Sequence, residues 1–220
     1  LQPMGAVGQI HAVQANVRYP ESVARAVEGA DVVINLVAIL HKSGKQTFDA
    51  VHVDGARTIA SAAKAAGVQS FIHVSAIGAT ARAKGNYGRT KAAGEAAVQA
   101  EFPEAIILRP SIIFGPEDDF FNRFAGLARM APMLPLIGGG RTKFQPVYVG
   151  DLAAAMTNIA AGGHGKPGNI YEIGGPEVFT FKQLLDKTQA WSGRKKMYAR
   201  LPFWAAKLGA LMTVPLPNAM

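Results

Sequence analysis

Phe71-Ile72-His73-Val74-Ser75, followed after a short polar loop by Tyr87-Gly88-Arg89-Thr90-Lys91, is the stretch on which the reading of this chain turns. The first run has the character of a buried strand, and the second opens a helical segment reaching to about Glu101. Residues four apart lie on one helix face, so Tyr87 and Lys91 point to the same side, where an ammonium beside a phenol favours the ionised phenol. A pair of this kind suits nicotinamide redox chemistry. The tyrosine exchanges a proton with a carbonyl or alcohol while the nicotinamide carries the hydride, and the lysine also holds the nicotinamide ribose. Y-x-x-x-K alone is common by chance; its place after a strand that ends in Ser75 gives it weight.

The surroundings repeat the strand-then-helix pattern. Upstream, Ile10-His11-Ala12-Val13-Gln14 is a short β-prone run, and Pro20 opens an Ala-rich helix to Glu28 that Gly29 terminates. Val32-Val33-Ile34-Asn35-Leu36-Val37 is a continuous apolar run, as expected of a parallel strand covered on both faces. A helix from about Phe48 to Ala66 follows and Gly67 closes it. Downstream of the Tyr87 helix comes the strand Ala105-Ile106-Ile107-Leu108-Arg109. This alternation predicts successive right-handed βαβ units, hence an α/β fold with a doubly wound parallel sheet that takes its ligands outside the carboxyl ends of the strands.

After Pro110 the texture changes. Gly115-Pro116 marks a turn, a helix is expected from about Asp119 to Met130, and a loop rich in proline and glycine runs through Pro132, Pro135 and Gly138-Gly139-Gly140 in the manner of a substrate lid. A strand Gln145 to Val149, a helix capped by Asp151, a strand Asn169 to Ile173 and a helix capped by Thr180 complete the pattern. Two parts are expected: a dinucleotide-binding domain over residues 1–150 and a smaller part over 151–220.

Composition excludes several classes of function. The chain has 220 residues, 49% of them hydrophobic and 17% charged, enough to bury a sizeable core. With Cys 0 it has no disulfide framework and no thiolate metal site, and its five histidines lack ligand spacing, so no metal is expected. No stretch reaches the roughly 18 apolar residues of a membrane-spanning helix. The net charge of +8 is uneven: Lys182, Lys187, Arg194, Lys195, Lys196, Arg200 and Lys207 face only Asp186, seven cations against one anion, so +6 lies in this last part. Without an aromatic-basic recognition module, nucleic acid is not the expected partner; an anionic lipid surface or an acidic subunit is. Leu201-Pro202-Phe203-Trp204 and the apolar residues after it suit an element on a membrane interface or another subunit.

These segments together resemble the extended or atypical short-chain dehydrogenase/reductase superfamily, of the NAD-dependent epimerase/dehydratase kind. Ser75, Tyr87 and Lys91 fall where its catalytic triad does. Val37 and Ala38 end a strand similar to the one beside the adenosine and pyrophosphate, and Asn16 stands where relatives often have an aspartate touching adenine. Leu108-Arg109-Pro110-Ser111-Ile112-Ile113-Phe114-Gly115-Pro116 resembles the strand and loop around the nicotinamide. The resemblance thus implies a cofactor wall of Asn16, Val37, Ala38, Pro110, Ser111, Ile112 and Ile113, with Arg109 as scaffold and Asp151 as a helix cap.

Phe102-Pro103-Glu104-Ala105-Ile106-Ile107, Ile113-Phe114-Gly115-Pro116-Glu117-Asp118 and Gln145-Pro146-Val147-Tyr148-Val149 are similar to the short-chain-dehydrogenase-like accessory subunits of respiratory complex I and their α-proteobacterial relatives. That resemblance implies a tightly held NADP(H), preferred over NAD(H), that stabilises the fold without established turnover. It also implies partners among the complex I subunits near the membrane and the quinone site, on the cytoplasmic face of a bacterial inner membrane or the matrix side of a mitochondrial one.

Two departures from the superfamily pattern stand out. Gly5-Ala6-Val7-Gly8 lacks a preceding strand and a third glycine, so no phosphate-cradling turn is read here, and the chain is expected to be a fragment without the first βαβ unit. Ala76 stands where many active members have a serine or threonine, and His52 where many have a cofactor-contacting asparagine. A misplaced carbonyl-binding hydroxyl costs about ten- to a thousand-fold in rate, which favours a structural cofactor. The alternatives are a free-standing NAD(P)-dependent reductase, epimerase or dehydratase using Ser75, Tyr87 and Lys91, and a dinucleotide-sensing regulator of the NmrA type.

Overall fold

The computed structural model describes residues 5–163 and 165–204. In chain order the elements are α1 (Pro20–Val27), β1 (Val32–Asn35), a π-helical turn (Asp49–Gly55) running into α2 (Ala56–Ala65), β2 (Ser70–Val74), α3 (Asn86–Glu101), β3 (Ile106–Pro110), β4 (Ile113–Phe114), α4 (Asp119–Met130), β5 (Met133–Ile137), a 3-10 turn (Gly138–Gly140), β6 (Lys143–Phe144), β7 (Val147–Tyr148), α5 (Val149–Ala160), β8 (Ile170–Ile173), β9 (Phe179–Thr180), α6 (Phe181–Trp191) and β10 (Met197–Leu201).

The chain forms two compact units that do not follow a single cut at residue 150. One comprises Leu1–Pro110 and Leu152–Ile173, the other Ser111–Asp151 and Gly174–Met220. The return of 152–173 has a packing reason: β8 adds to the sheet beside β3, and α5 covers its apolar face.

The first unit is a parallel sheet of order β1-β2-β3-β8. Successive side chains of a strand point to opposite faces, and β2 uses both. Phe71 packs with Val23 and Val27 of α1, Ile59, Ala60 and Ala63 of α2, and Val98 and Phe102 near the end of α3. Ile72 packs with Leu152, Met156 and Ile159 of α5 and with Ile106 and Leu108 of β3. Burying each of these two side chains contributes about 2 kcal/mol. Helices on both faces of a parallel sheet make the α/β, doubly wound arrangement expected from the sequence.

Several local expectations are corrected. Ile10 to Gln14 is not a strand; its side chains are mostly exposed and no neighbouring strand accepts its backbone among the described residues, so β-propensity alone does not order it. The run from Val32 pairs only through Asn35, and Ile34, opposite Ile72 in the register, is 39% exposed whereas Ile72 is 0%. The strand is therefore not covered on both faces among the described residues.

The second unit contains three short strand pairs: β5 with β10, β4 with β7, and β6 with β9. The stretch expected as a lid loop holds β5, because Leu134 and Leu136 alternate into the interior while β10 supplies the ladder. Its core gathers Leu136, Phe181 and Leu185 with Phe120, Phe124, Phe144 and Tyr198. Helix α6 starts at a capping box: Thr180 Oγ1 accepts from Gln183 N, and Gln183 Oε1 accepts from Thr180 N. Asp151 is not a cap; α5 begins at Val149 and places Asp151 in its first turn, where a carboxylate favours the helix dipole. The apolar residues after Trp204, expected as part of an interfacial element, lie outside the described residues.

Candidate functional site

The carboxyl ends of β1, β2 and β3 hold the site, and backbone hydrogen bonds shape it. Past the end of β2, Ser75 N donates to Leu108 O at 2.7 Å and Ile77 N donates to Pro110 O at 3.0 Å, so the segment after the strand stays tied to β3 and its end. A Cβ on Gly88 would meet Ala83 Cβ at 2.8 Å, so a glycine in the Tyr87–Lys91 pentad lets the 76–85 loop settle against α3.

Lys91 is 1% exposed, and its Nζ donates to Val74 O at 2.8 Å. An ammonium has three donors, so two remain for a ligand. Burial holds its pKa down at about 8, against the pull of the Glu95 carboxylate in the other direction. Next to Val74, the Ser75 hydroxyl is buried and has no hydrogen-bond partner among the described residues. An orphaned buried hydroxyl costs about 1–3 kcal/mol, so one on the residue that follows the carbonyl holding Lys91 is a candidate place for a polar ligand to complete the bonding.

Tyr87 lies half-buried, edge-on to the rings of His52 (5.3 Å between centroids) and Phe48 (6.3 Å). The expectation that Lys91 draws the phenol toward ionisation is not met: burial pushes the Tyr87 pKa up, and the ammonium is engaged by the Val74 carbonyl.

Two buried histidines tie neighbouring elements together. His52 Nδ1 lies 3.0 Å from Thr90 Oγ1, which also donates to Asn86 O at 2.9 Å, and His52 Nε2 lies 3.1 Å from both the N and the O of Ile39. His52 thereby ties the loop after β1 to α3. His73 Nδ1 accepts from Asn35 Nδ2 at 3.0 Å, and the amide is oriented by Val37 N donating to Asn35 Oδ1 at 3.0 Å. Burial and the Lys91 charge lower the pKa of His52 to about 4, and the same two causes, joined by the charge of His52, lower that of His73 to about 3. Both rings are neutral at physiological pH.

Asn16 and Val37, expected as cofactor wall, share one open cleft of about 630 Å³ with Arg18, Arg25, Ile39 and Val51. Asn16 Oδ1 is engaged by Arg18 N at 3.1 Å. Ala38 is exposed beside Val37, and Pro110 is buried at the end of β3. Ser111, Ile112 and Ile113 belong to the second unit, where Ile112 O accepts from Val147 N at 2.9 Å. Gly5 to Gly8 form an exposed turn that leads into no helix, so a phosphate cradle is not found among the described residues.

Sequence reasoning missed Thr90, Gly94, Glu95, Asn35 and the roles of His52 and His73. Gly94 carried a signal: a glycine in mid-helix marks close approach, and a Cβ there would stand 2.0 Å from His52 O. The π-helical turn around His52 had no such signal. It brings that carbonyl against α3, and π turns concentrate at functional sites.

Comparison with known proteins bears on the family and the fold. A protein family described as NAD(P)H-binding matches residues 2–115. "NADH dehydrogenase [ubiquinone] 1 alpha subcomplex subunit 9, mitochondrial" of Arabidopsis thaliana is 36% identical over 208 residues, covering 94% of this chain and 52% of that protein. "Ceramide reductase" of Caulobacter vibrioides is 34% identical over 148 residues, covering 67% of this chain and 46% of that protein. The chain thus spans about half the length of these curated relatives. Among solved structures, a double mutant of the dTDP-glucose 4,6-dehydratase DesIV from Streptomyces venezuelae, with NAD and DAU bound, superposes with a TM-score of 0.79 at 22% identity. That superposition covers 91% of this chain and 70% of that one, and it carries the fold alone.

Proposed function

The chain belongs to the NAD(P)H-binding family, and on that premise we propose that it is part of an accessory subunit of a membrane-bound NADH:quinone oxidoreductase, holding NADPH chiefly as a structural cofactor. The observation that carries the reading is the conjunction of Lys91, with two spare donors, and the orphaned Ser75 hydroxyl at the carboxyl end of β2. In this reading Lys91 donates to the ribose hydroxyls, Ser75 and Tyr87 face the nicotinamide, and Asn16, Val37 and Ala38 wall the adenosine side. When bound, the dinucleotide supplies hydride chemistry. The chain's residues are better suited to holding it than to turning it over, because Ala76 offers no second hydroxyl beside Ser75.

Similarity to the Arabidopsis subunit supports the assignment to complex I. The second unit supports a peripheral place at the membrane, on the cytoplasmic or matrix side. Trp191 is 66% and Trp204 67% exposed, with Arg194 and Lys195 exposed nearby in sequence, a composition that suits anionic headgroups or an acidic neighbouring subunit. Among the described residues no helix is long and apolar enough to cross a membrane. Co-purification tests the assignment: detergent-solubilised complex I from the source cells is expected to contain this polypeptide with NADPH, and its absence from the complex overturns the proposal.

A second reading, a free-standing NAD(P)-dependent reductase, is favoured by the similarity to the Caulobacter ceramide reductase and by the complete Ser75, Tyr87, Lys91 set. It predicts oxidation of NADPH by a carbonyl substrate that Tyr87→Phe abolishes. Bound NADPH that stays reduced against a broad panel of carbonyls sinks it.

A further inference from the structure

Behind Lys91 lies an ion pair that the cofactor reading does not use. Glu95 stands four residues after Lys91 on α3, on the same helix face, and is 4% exposed. Its two carboxylate oxygens take both arms of a guanidinium: Arg109 Nε donates to Oε1 at 2.9 Å and Nη2 to Oε2 at 2.6 Å. The third guanidinium nitrogen reaches outward to Glu172 Oε1 on β8 at 3.5 Å. The groups around Lys91 are otherwise unfavourable to its charge. The neutral His73 on β2 and the neutral His52 on the π-helical turn lie close enough to feel its charge, and among the described groups Glu95 is the one whose charge supports it.

We propose that Glu95 and Arg109 are positioning residues for the cofactor site: the carboxylate, clamped in place by the guanidinium, keeps Lys91 charged and its Nζ seated on Val74 O, facing the proposed dinucleotide sugar. The bidentate clamp fixes Glu95 in one rotamer, which a single hydrogen bond would not do. Arg109 has a second effect of opposite sign. Its own charge partly neutralises Glu95, so the pair sets how much negative potential reaches the ammonium, and Glu172 draws some of the guanidinium's charge away toward the surface. The Arg109 of β3 is thus more than a scaffold residue.

This inference rests on the proposed site only for its consequence, and the experiment separates the two. Nζ-detected NMR of protein carrying 15N-lysine follows the Lys91 ammonium through pH 6 to 10, its signal identified by its loss in Lys91→Arg. The wild-type midpoint is expected at about 8. In Glu95→Gln it falls by about one pH unit, and in Arg109→Gln it rises, because the carboxylate is then no longer neutralised. Opposite shifts from the two halves of one ion pair show that the ammonium feels the net charge the pair leaves beside it. If both variants shift the midpoint the same way, or neither shifts it, the proposal is overturned. Should Glu95→Gln fail to fold, Glu95→Asp, which withdraws the carboxylate by one methylene, must lower the midpoint by a smaller step. NADPH binding followed by fluorescence over the same pH range supplies the second arm. Affinity that declines in step with each variant's Lys91 midpoint supports both readings; shifted midpoints with an unchanged binding profile keep the positioning role and remove the sugar contact.

Discussion

Acid is the perturbation that reaches the buried site most directly, because His73 and His52 are held neutral at 1% exposure each. An unfolded imidazole titrates at 6.5, and in the folded chain His73 titrates at about 3 and His52 at about 4. Between these values the unfolded chain binds more protons than the folded one, so stability rises with pH through the window and is lost as pH falls below about 6.5. At pH 4.5 the unfolded imidazoles are almost fully protonated and the folded ones are mostly not; each then favours unfolding by roughly 2.5 kcal/mol. The sum, about 5 kcal/mol, is an upper figure because the two rings feel each other, and it rivals the whole stability of an ordinary domain. Lys91 stays protonated in both states over this range and adds nothing to the slope.

The hydrogen bonds give the same sign independently. A proton on His73 Nδ1 would face the Asn35 amide donor, and turning that amide would break its bond to Val37 N. Urea unfolding at pH 7, 5.5 and 4.5 measures the loss. With a slope of about 2 kcal/mol/M the midpoint should fall by about 2 M over that range. His73→Gln, which keeps an oxygen to accept from Asn35 but does not titrate, should remove about half of the loss. A variant that loses as much stability as wild type between pH 7 and 4.5, or a wild type that loses less than about 1 kcal/mol, would refute the reasoning.

Three further outcomes are expected. Lys91→Met removes the charged donors to the ribose and weakens NADPH binding by about ten- to a hundred-fold in a fluorescence titration. Gly94→Ala gains about 1 kcal/mol of helix preference yet drives a Cβ to within 2.0 Å of His52 O, so the clash wins and the thermal midpoint falls by about 4–8 °C. Thr180→Ala deletes the cap that accepts from Gln183 N and costs about 1 kcal/mol, read as a lower urea midpoint.

How far the sequence carried the account depends on where the deciding interactions lie. Elements set by local pattern were legible: α4 runs from Asp119 to Met130 as read, glycines at positive φ follow α1 and α2 at Gly29 and Gly67, and Thr180 caps α6. Strand extents were read less well, because pairing decides them. Ile10 to Gln14 has strand composition and no ladder, whereas the proline-rich segment before Gly138 becomes β5 because β10 lies beside it. At the candidate site, Ser75, Tyr87 and Lys91 were singled out by spacing; the structure seats Lys91 Nζ on Val74 O, next to Ser75 at the end of β2, while Tyr87 rests against His52 and Phe48. Thr90, Glu95, His52 and His73 take their roles from partners 14 to 38 residues away in sequence, as in Glu95 with Arg109 and Asn35 with His73. No local pattern announces such partners.

The central claim is that a nicotinamide dinucleotide lies against Lys91 and Ser75 at the carboxyl end of the sheet. Amide chemical-shift mapping with NADPH tests it most directly. The account predicts shifts concentrated at Val37 to Ile39, Ser75 to Ile77 and Tyr87 to Lys91, lost in Lys91→Met. Shifts confined to the basic residues around Arg194 to Lys196, or none at saturating NADPH, would contradict it.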